Sequence, residues 1–180
     1  MTELRNASLV LKGSDLTAGS FTQYGYMDAN RTTMTWNNIN LRTLLGDMYD
    51  HYDYFNLCLN TIATAQAGAI DTVDKNNLSL YIKISGLPWS NQTYNVKNGS
   101  NNSSTVMGTF YFTSNSAISQ YYYSNNIATF GKNQDICNIT IDFTRISDDA
   151  KPNPASTAFP VCIFIFDIIG IPNSSFIGNN

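Results

Sequence analysis

The densest group of ionisable side chains in the chain is Asp47, Asp50, His51 and Asp53. If a helix runs through them, Asp47, Asp50 and His51 stand at i, i+3 and i+4. On one helical face they could hold a divalent cation, or pair a carboxylate with an imidazole as a general base. The plainer reading is a polar helix end that faces water. Three carboxylates near a helix C-terminus oppose its dipole, and that conflict keeps the cation site in view. The chain has one His, His51, and a single Glu, Glu3, so most metal and acid–base arrangements lack their residues. A Ser-His-Asp triad would have to use His51, and no serine lies near it in sequence. There is no nucleophile elbow, phosphate loop or Cys-x-x-Cys pair. The expectation is a protein that is not an enzyme, with no catalytic residue, cofactor or metal. Asp47, Asp50 and Asp53 stand as the weak metal candidates.

Two other groups of residues could bind something. Sugar sites are built from exposed Tyr and Trp beside amides, so Trp36, Trp89, Tyr121, Tyr122 and Tyr123 are candidates for a glycan platform. Such residues more often fill a sandwich core or a subunit interface, where tyrosine is enriched. The segment Val161 to Ile169 is apolar at nearly every position, so it reads as a strand buried on both sides, or one whose outer face meets another subunit. Val161, Ile163, Phe164, Ile165, Phe166 and Ile168 are its interface candidates.

The elements that must position these residues follow from composition and periodicity. A length of 180 residues argues for one domain. Charged residues are only 13%, about half the usual share, and Asn, Ser and Thr make up nearly a third of the chain. The net charge of −3 excludes an unspecific grip on nucleic acid. The start shows no basic-then-apolar secretory pattern, and the longest apolar run, Phe159 to Ile171, is too short for a membrane helix and is broken by Pro160 and Asp167. Three widely spaced cysteines, Cys58, Cys137 and Cys162, read as small buried apolar residues rather than a disulfide framework. Asn-x-Ser/Thr triplets are numerous, but this much Asn, Ser and Thr produces many by chance, so they do not establish secretion.

Alternation of apolar and polar residues is clear from Leu78 to Ser85, from Cys137 to Thr144 and through Phe55, Leu57 and Leu59. Weaker strands are expected at Ser8 to Lys12, Phe21 to Met27, Thr32 to Trp36, Val106 to Thr113, Tyr121 to Tyr123 and Ile127 to Phe130. One segment breaks the rhythm. Leu41, Leu44, Leu45 and Met48 lie at i, i+3, i+4 and i+7, with Asn40 before them as N-cap, which predicts a helix from Leu41 to about Tyr49. Gly46 inside it would cost about 1 kcal/mol relative to Ala. Lys12 to Asp15, Asp74 to Asn77, Asn98 to Ser104 and Asp148 to Pro154 are rich in turn-forming residues. Asn98 to Ser104, the most polar of them, is expected to be a surface loop. About eight short strands with one short helix give an all-β class, a jelly-roll β-sandwich over residues 1–171 with a polar C-terminal tail at 172–180.

The stretch Leu44 to Thr64, with Tyr49, Tyr52, Tyr54 and Phe55 between a short helix and a long strand, resembles viral single jelly-roll capsid proteins. In that family a short helix after the second strand leads through aromatic residues into a long strand. The resemblance implies a penton or minor capsid protein of a large DNA virus, found in the virion and assembled in the host cytoplasm. Its partners would be copies of itself, as a pentamer or trimer, and other capsid proteins. The first twelve residues hold only Arg5 and Lys12 as basic groups, unlike the genome-binding members, so no nucleic acid partner is implied. The alternative is a carbohydrate-binding sandwich, such as a fibre head or lectin-like receptor-binding module.

Overall fold

The computed structural model describes residues 6–64, 79–88, 94–97, 100–103, 106–111, 119–121, 127–134, 136, 138–145, 150–152 and 162–171. Among the described residues thirteen strands run in chain order: β1 (Asn6–Lys12), β2 (Ser20–Thr22), β3 (Gly25–Met27), β4 (Thr33–Asn37), β5 (Tyr54–Thr64), β6 (Ser79–Ser85) and β7 (Tyr94–Lys97). They continue with β8 (Ser100–Ser103), β9 (Val106–Tyr111), β10 (Ser119–Tyr121), β11 (Ile127–Gly131), β12 (Asn138–Arg145) and β13 (Cys162–Ile171). An α-helix, α1 (Leu41–Leu45), lies between β4 and β5.

The pairing is nested. β1 pairs with β13, β4 with β12, β5 with β10 and β11, and β6 with β9, all antiparallel. The first strand thus meets the last, and successive pairs fold inward like a hairpin rolled on itself. The result is two sheets, ordered β1-β13-β5 with β10 and β11 beyond, and β2-β3-β4-β12-β6-β9. This is the jelly-roll connectivity. Here β2 and β3 extend the second sheet as an added hairpin, and β7 and β8 form a separate two-stranded ribbon.

The alternating segments do what their period dictates. Leu80, Ile82 and Ile84 of β6 and Ile139, Ile141 and Phe143 of β12 turn inward from one sheet. Phe55, Leu57 and Leu59 of β5 and Phe164 and Phe166 of β13 turn inward from the other. The layers meet through rings: Trp36 of β4 stands edge-on to Phe164 at 5.6 Å, and Phe143 lies 6.1 Å from the same ring. The Trp36 indole Nε1 also donates to the carbonyl of Lys12 across the two sheets, at 3.1 Å. Leu78 and Cys137, also expected inward, lie outside the described residues.

Two expectations need correction. The α-helix stops at Leu45 rather than near Tyr49, because Gly46 takes φ 55° and ends it; Gly46–His51 continues as a 3-10 helix. Glycine adopts that backbone without the Cβ penalty, so Gly46 terminates the helix instead of weakening its middle. Asn40 does cap the other end, its side chain accepting from the Thr43 N–H at 3.0 Å. The second correction concerns Asn98 to Ser104: Ser100–Ser103 is strand β8, paired with Tyr94–Lys97.

Candidate functional site

The acidic group sits where the helix leads into β5. Three residues per turn in the 3-10 segment put Asp47 and Asp50 on one side, but Asp53 lies past its end. Its N–H donates to the Ile171 carbonyl, and its own carbonyl accepts from the Lys132 N–H at 2.8 Å. Asp50 is spoken for by cations, with Lys132 at 3.3 Å and Arg42 at 3.7 Å. His51 is exposed. The helical face expected for Asp47, Asp50 and His51 therefore does not form, because the α-helix has ended before it. Among the described residues no three His, Cys, Asp or Glu side chains gather as a metal site. The dipole conflict also dissolves, since these carboxylates lie beyond the α-helix and two cations answer Asp50.

Behind this segment the aromatics of the helix-to-strand passage close one end of the sandwich. Tyr49 stacks on Phe55 at 5.2 Å, Tyr52 meets Phe55 edge-on at 6.1 Å, and Phe55 stacks on Phe130 of β11 at 5.9 Å. Leu45, Met48, Tyr52, Phe55, Ile168 and Gly170 line a shallow dent here with no room for a water molecule. It is apolar and presents no group for catalysis.

The apolar strand β13 resolves by parity. Cys162, Phe164, Phe166, Ile168 and Gly170 are buried, while Ile163, Ile165, Asp167, Ile169 and Ile171 face outward and are partly covered. Phe164, Phe166 and Ile168 are therefore core residues and not interface candidates: their side chains are already enclosed by the opposite sheet. Val161 lies outside the described residues. Ile163 and Ile165 remain on a surface.

That surface is broad. Register places Val10 of β1 opposite Ile165, Lys12 opposite Ile163 and Ser8 opposite Asp167. On the other side, Cys58, Asn56 and Tyr54 of β5 stand opposite Asp167, Ile169 and Ile171. A register shift between Ile165 and Phe166 leaves Asn60 unopposed on β5, and its Nδ2 donates to Asp167 at 2.7 Å. Beyond the shift, Ala63 faces outward opposite Ile163, and Ile127 of β11 extends the face past Cys58. Val10 is 44% exposed and Tyr54 54%. The outward side of the second sheet is polar by comparison. It carries Thr33, Thr35 and Asn37 on β4 and Asn138, Thr140 and Asp142 on β12. There the hydroxyls of Thr35 and Thr140 bond to each other at 2.8 Å, and Lys151 reaches Asp142 at 2.5 Å.

Cys58 stands on the apolar face and is only partly buried, so it is not the core residue that its type suggested. Burial, and then the Asp167 carboxylate beside it, push its thiol up. Cys162 is buried, and burial pushes its thiol up to about 12.

Of the aromatic candidates, Trp36 is in the core. Trp89, Tyr122 and Tyr123 lie outside the described residues; Tyr121 pairs in β10 opposite Thr61. Sequence reasoning missed Phe21 and Tyr24. Phe21 is 82% exposed and stacks on Tyr26 at 4.3 Å, and Tyr24 is exposed in the turn between β2 and β3. Only their crowding into a short hairpin, beside the polar turn residue Gln23, hinted at this.

A scan against protein-family models found no match to this chain, and a search of curated proteins found none.

Proposed function

We propose that the chain is a structural subunit of a virus shell, a penton or minor capsid protein that associates with copies of itself and with other shell proteins. One observation supports this reading above the others. The outward side of β1, β13 and β5 carries Val10, Ile163, Ile165, Ile169 and Ile171 where an antiparallel sheet facing water normally shows polar residues. An apolar surface with few charges can be covered by a partner without the cost of burying unpaired ions. Jelly rolls also serve as lectins and as cupins. A cupin-like metal enzyme is disfavoured because the single histidine, His51, is exposed and stands in no ligand cluster among the described residues.

The test is sedimentation velocity over a range of concentrations, together with imaging of the particle that contains the protein. A defined oligomer and a place in a shell are expected. A chain that stays monomeric at high concentration and enters no assembly overturns the reading.

A further inference from the structure

We infer that the outward face of β1, β13 and β5 is covered by the same face of a second copy, about a two-fold axis lying between the sheets and crossing β13 at Ile165. The inference rests on the assembly reading above and names the partner and its geometry.

The area suffices. Ten residues of β13 at about 3.3 Å each, across the four strand positions β1, β13, β5 and β10 with β11, about 4.8 Å apart, give a footprint of roughly 600 Å² per copy. Two copies then bury about 1,200 Å², the lower bound of a specific, stable interface.

Charge decides the arrangement. Among the described residues of the face two side chains are charged, Lys12 and Asp167, two register positions to either side of Val10 and Ile165. Were the axis to run along the strands, Asp167 would face Asp167. With the axis across the strands at Ile165, β13 lies antiparallel over its copy, and a residue two positions on one side comes over the residue two positions on the other. Asp167 then lies over the partner's Ile163. Lys12, level with Ile163 on the neighbouring strand, is offset sideways by one strand spacing from the partner's Asp167 across facing sheets about 10 Å apart, a gap that the two side chains together span. Symmetry makes this contact twice, the isologous pattern of a closed dimer. Ile165 and Val10 sit at the axis and meet their own copies. The Asn60 amide already bonded to Asp167 satisfies part of that carboxylate's hydrogen-bonding capacity when water leaves. Such a contact uses the face and leaves the loops and sheet edges for the ring of a trimer or pentamer.

The experiment compares wild type, Lys12→Glu, Asp167→Lys, the double variant and Ile165→Arg by sedimentation equilibrium, with circular dichroism to confirm that each is folded. Expected results are a dimer for wild type, about tenfold weaker association for each single charge reversal, recovery in the double variant, and a monomer for Ile165→Arg. If Ile165→Arg separates the copies but the double reversal does not recover, the face is used with a different partner arrangement and the two-fold geometry is wrong. If Ile165→Arg associates as wild type does, the face is not the contact; the shell reading stands while this inference falls. A wild type that never associates and enters no particle removes both.

Discussion

The ring of Tyr52 occupies the space that a side chain at residue 170 would need. A Cβ built on Gly170 would come within 2.5 to 2.7 Å of three carbons of that ring, and both residues are buried. The contact joins the end of β13 to the aromatic passage that leads into β5, so the last strand and the helix-to-strand connection fit only because residue 170 has no side chain.

Gly170→Ala is therefore expected to destabilise the fold by about 1–3 kcal/mol through overpacking. For a chain of this size that is a fall in melting temperature of about 2–4 °C per kcal/mol, readable by calorimetry. The compensating change is Tyr52→Leu, which makes room; the double variant should recover part of the loss.

Phe164 and Phe21 are the same residue type at opposite extremes of burial. Phe164→Ala should cost about 3–5 kcal/mol, since it empties the place where Trp36 and Phe143 meet. Phe21→Ala removes only an exposed stack on Tyr26 and should cost below about 1 kcal/mol. Urea titration of the two variants checks the ratio, and equal effects would contradict the placement of the sheets.

The raised thiol of Cys162 makes stability fall in alkali. Below the ordinary thiol value of 9.0 the folded and unfolded chains both carry the proton, and nothing is lost. Between there and about 12 the unfolded chain releases a proton that the folded chain keeps, so stability declines as pH rises. Cys162→Ala, which cannot titrate, should show a shallower decline over that window when melting temperature is followed against pH. In the folded protein at pH 8, iodoacetamide should modify Cys58 slowly and Cys162 not at all.

Calcium, magnesium or zinc at millimolar concentration should leave the melting temperature unchanged. Asp50→Asn, which removes the exposed contacts to Arg42 and Lys132, should shift stability by no more than about 0.5 kcal/mol. A rise of several degrees with one metal, abolished by Asp50→Asn, would restore the cation site.

The strands that face water on one side were legible because polar residues mark the outward positions, as in Leu80 to Ile84 and Ile139 to Phe143. β13 was legible as a strand, but its two faces were harder to tell apart: both are apolar apart from Asp167, whose charge alone marks the outward parity, and Phe164, Phe166 and Ile168 were placed on a surface they do not reach. Gly46 reads alike as a costly interior residue or as a terminator, because sequence does not show φ. The strands β7 and β8 escaped notice since Asn and Ser have poor strand propensity, although the Asn98-Gly99 pair between them is a strong hairpin signal. The metal candidates failed for the same reason as the helix length: their shared face required a helix that Gly46 had already ended.

The two sheets differ in how they finish. Of the four rims, one is the three-residue β2 and another is divided between the short strands β10 and β11. Neither offers a long row of unpaired main-chain groups, so both are poor templates for a foreign strand or for runaway stacking of neighbours side by side. The apolar flat side of β1, β13 and β5 is thus bordered, at the rim of β10 and β11, by an edge that offers little to a growing fibre.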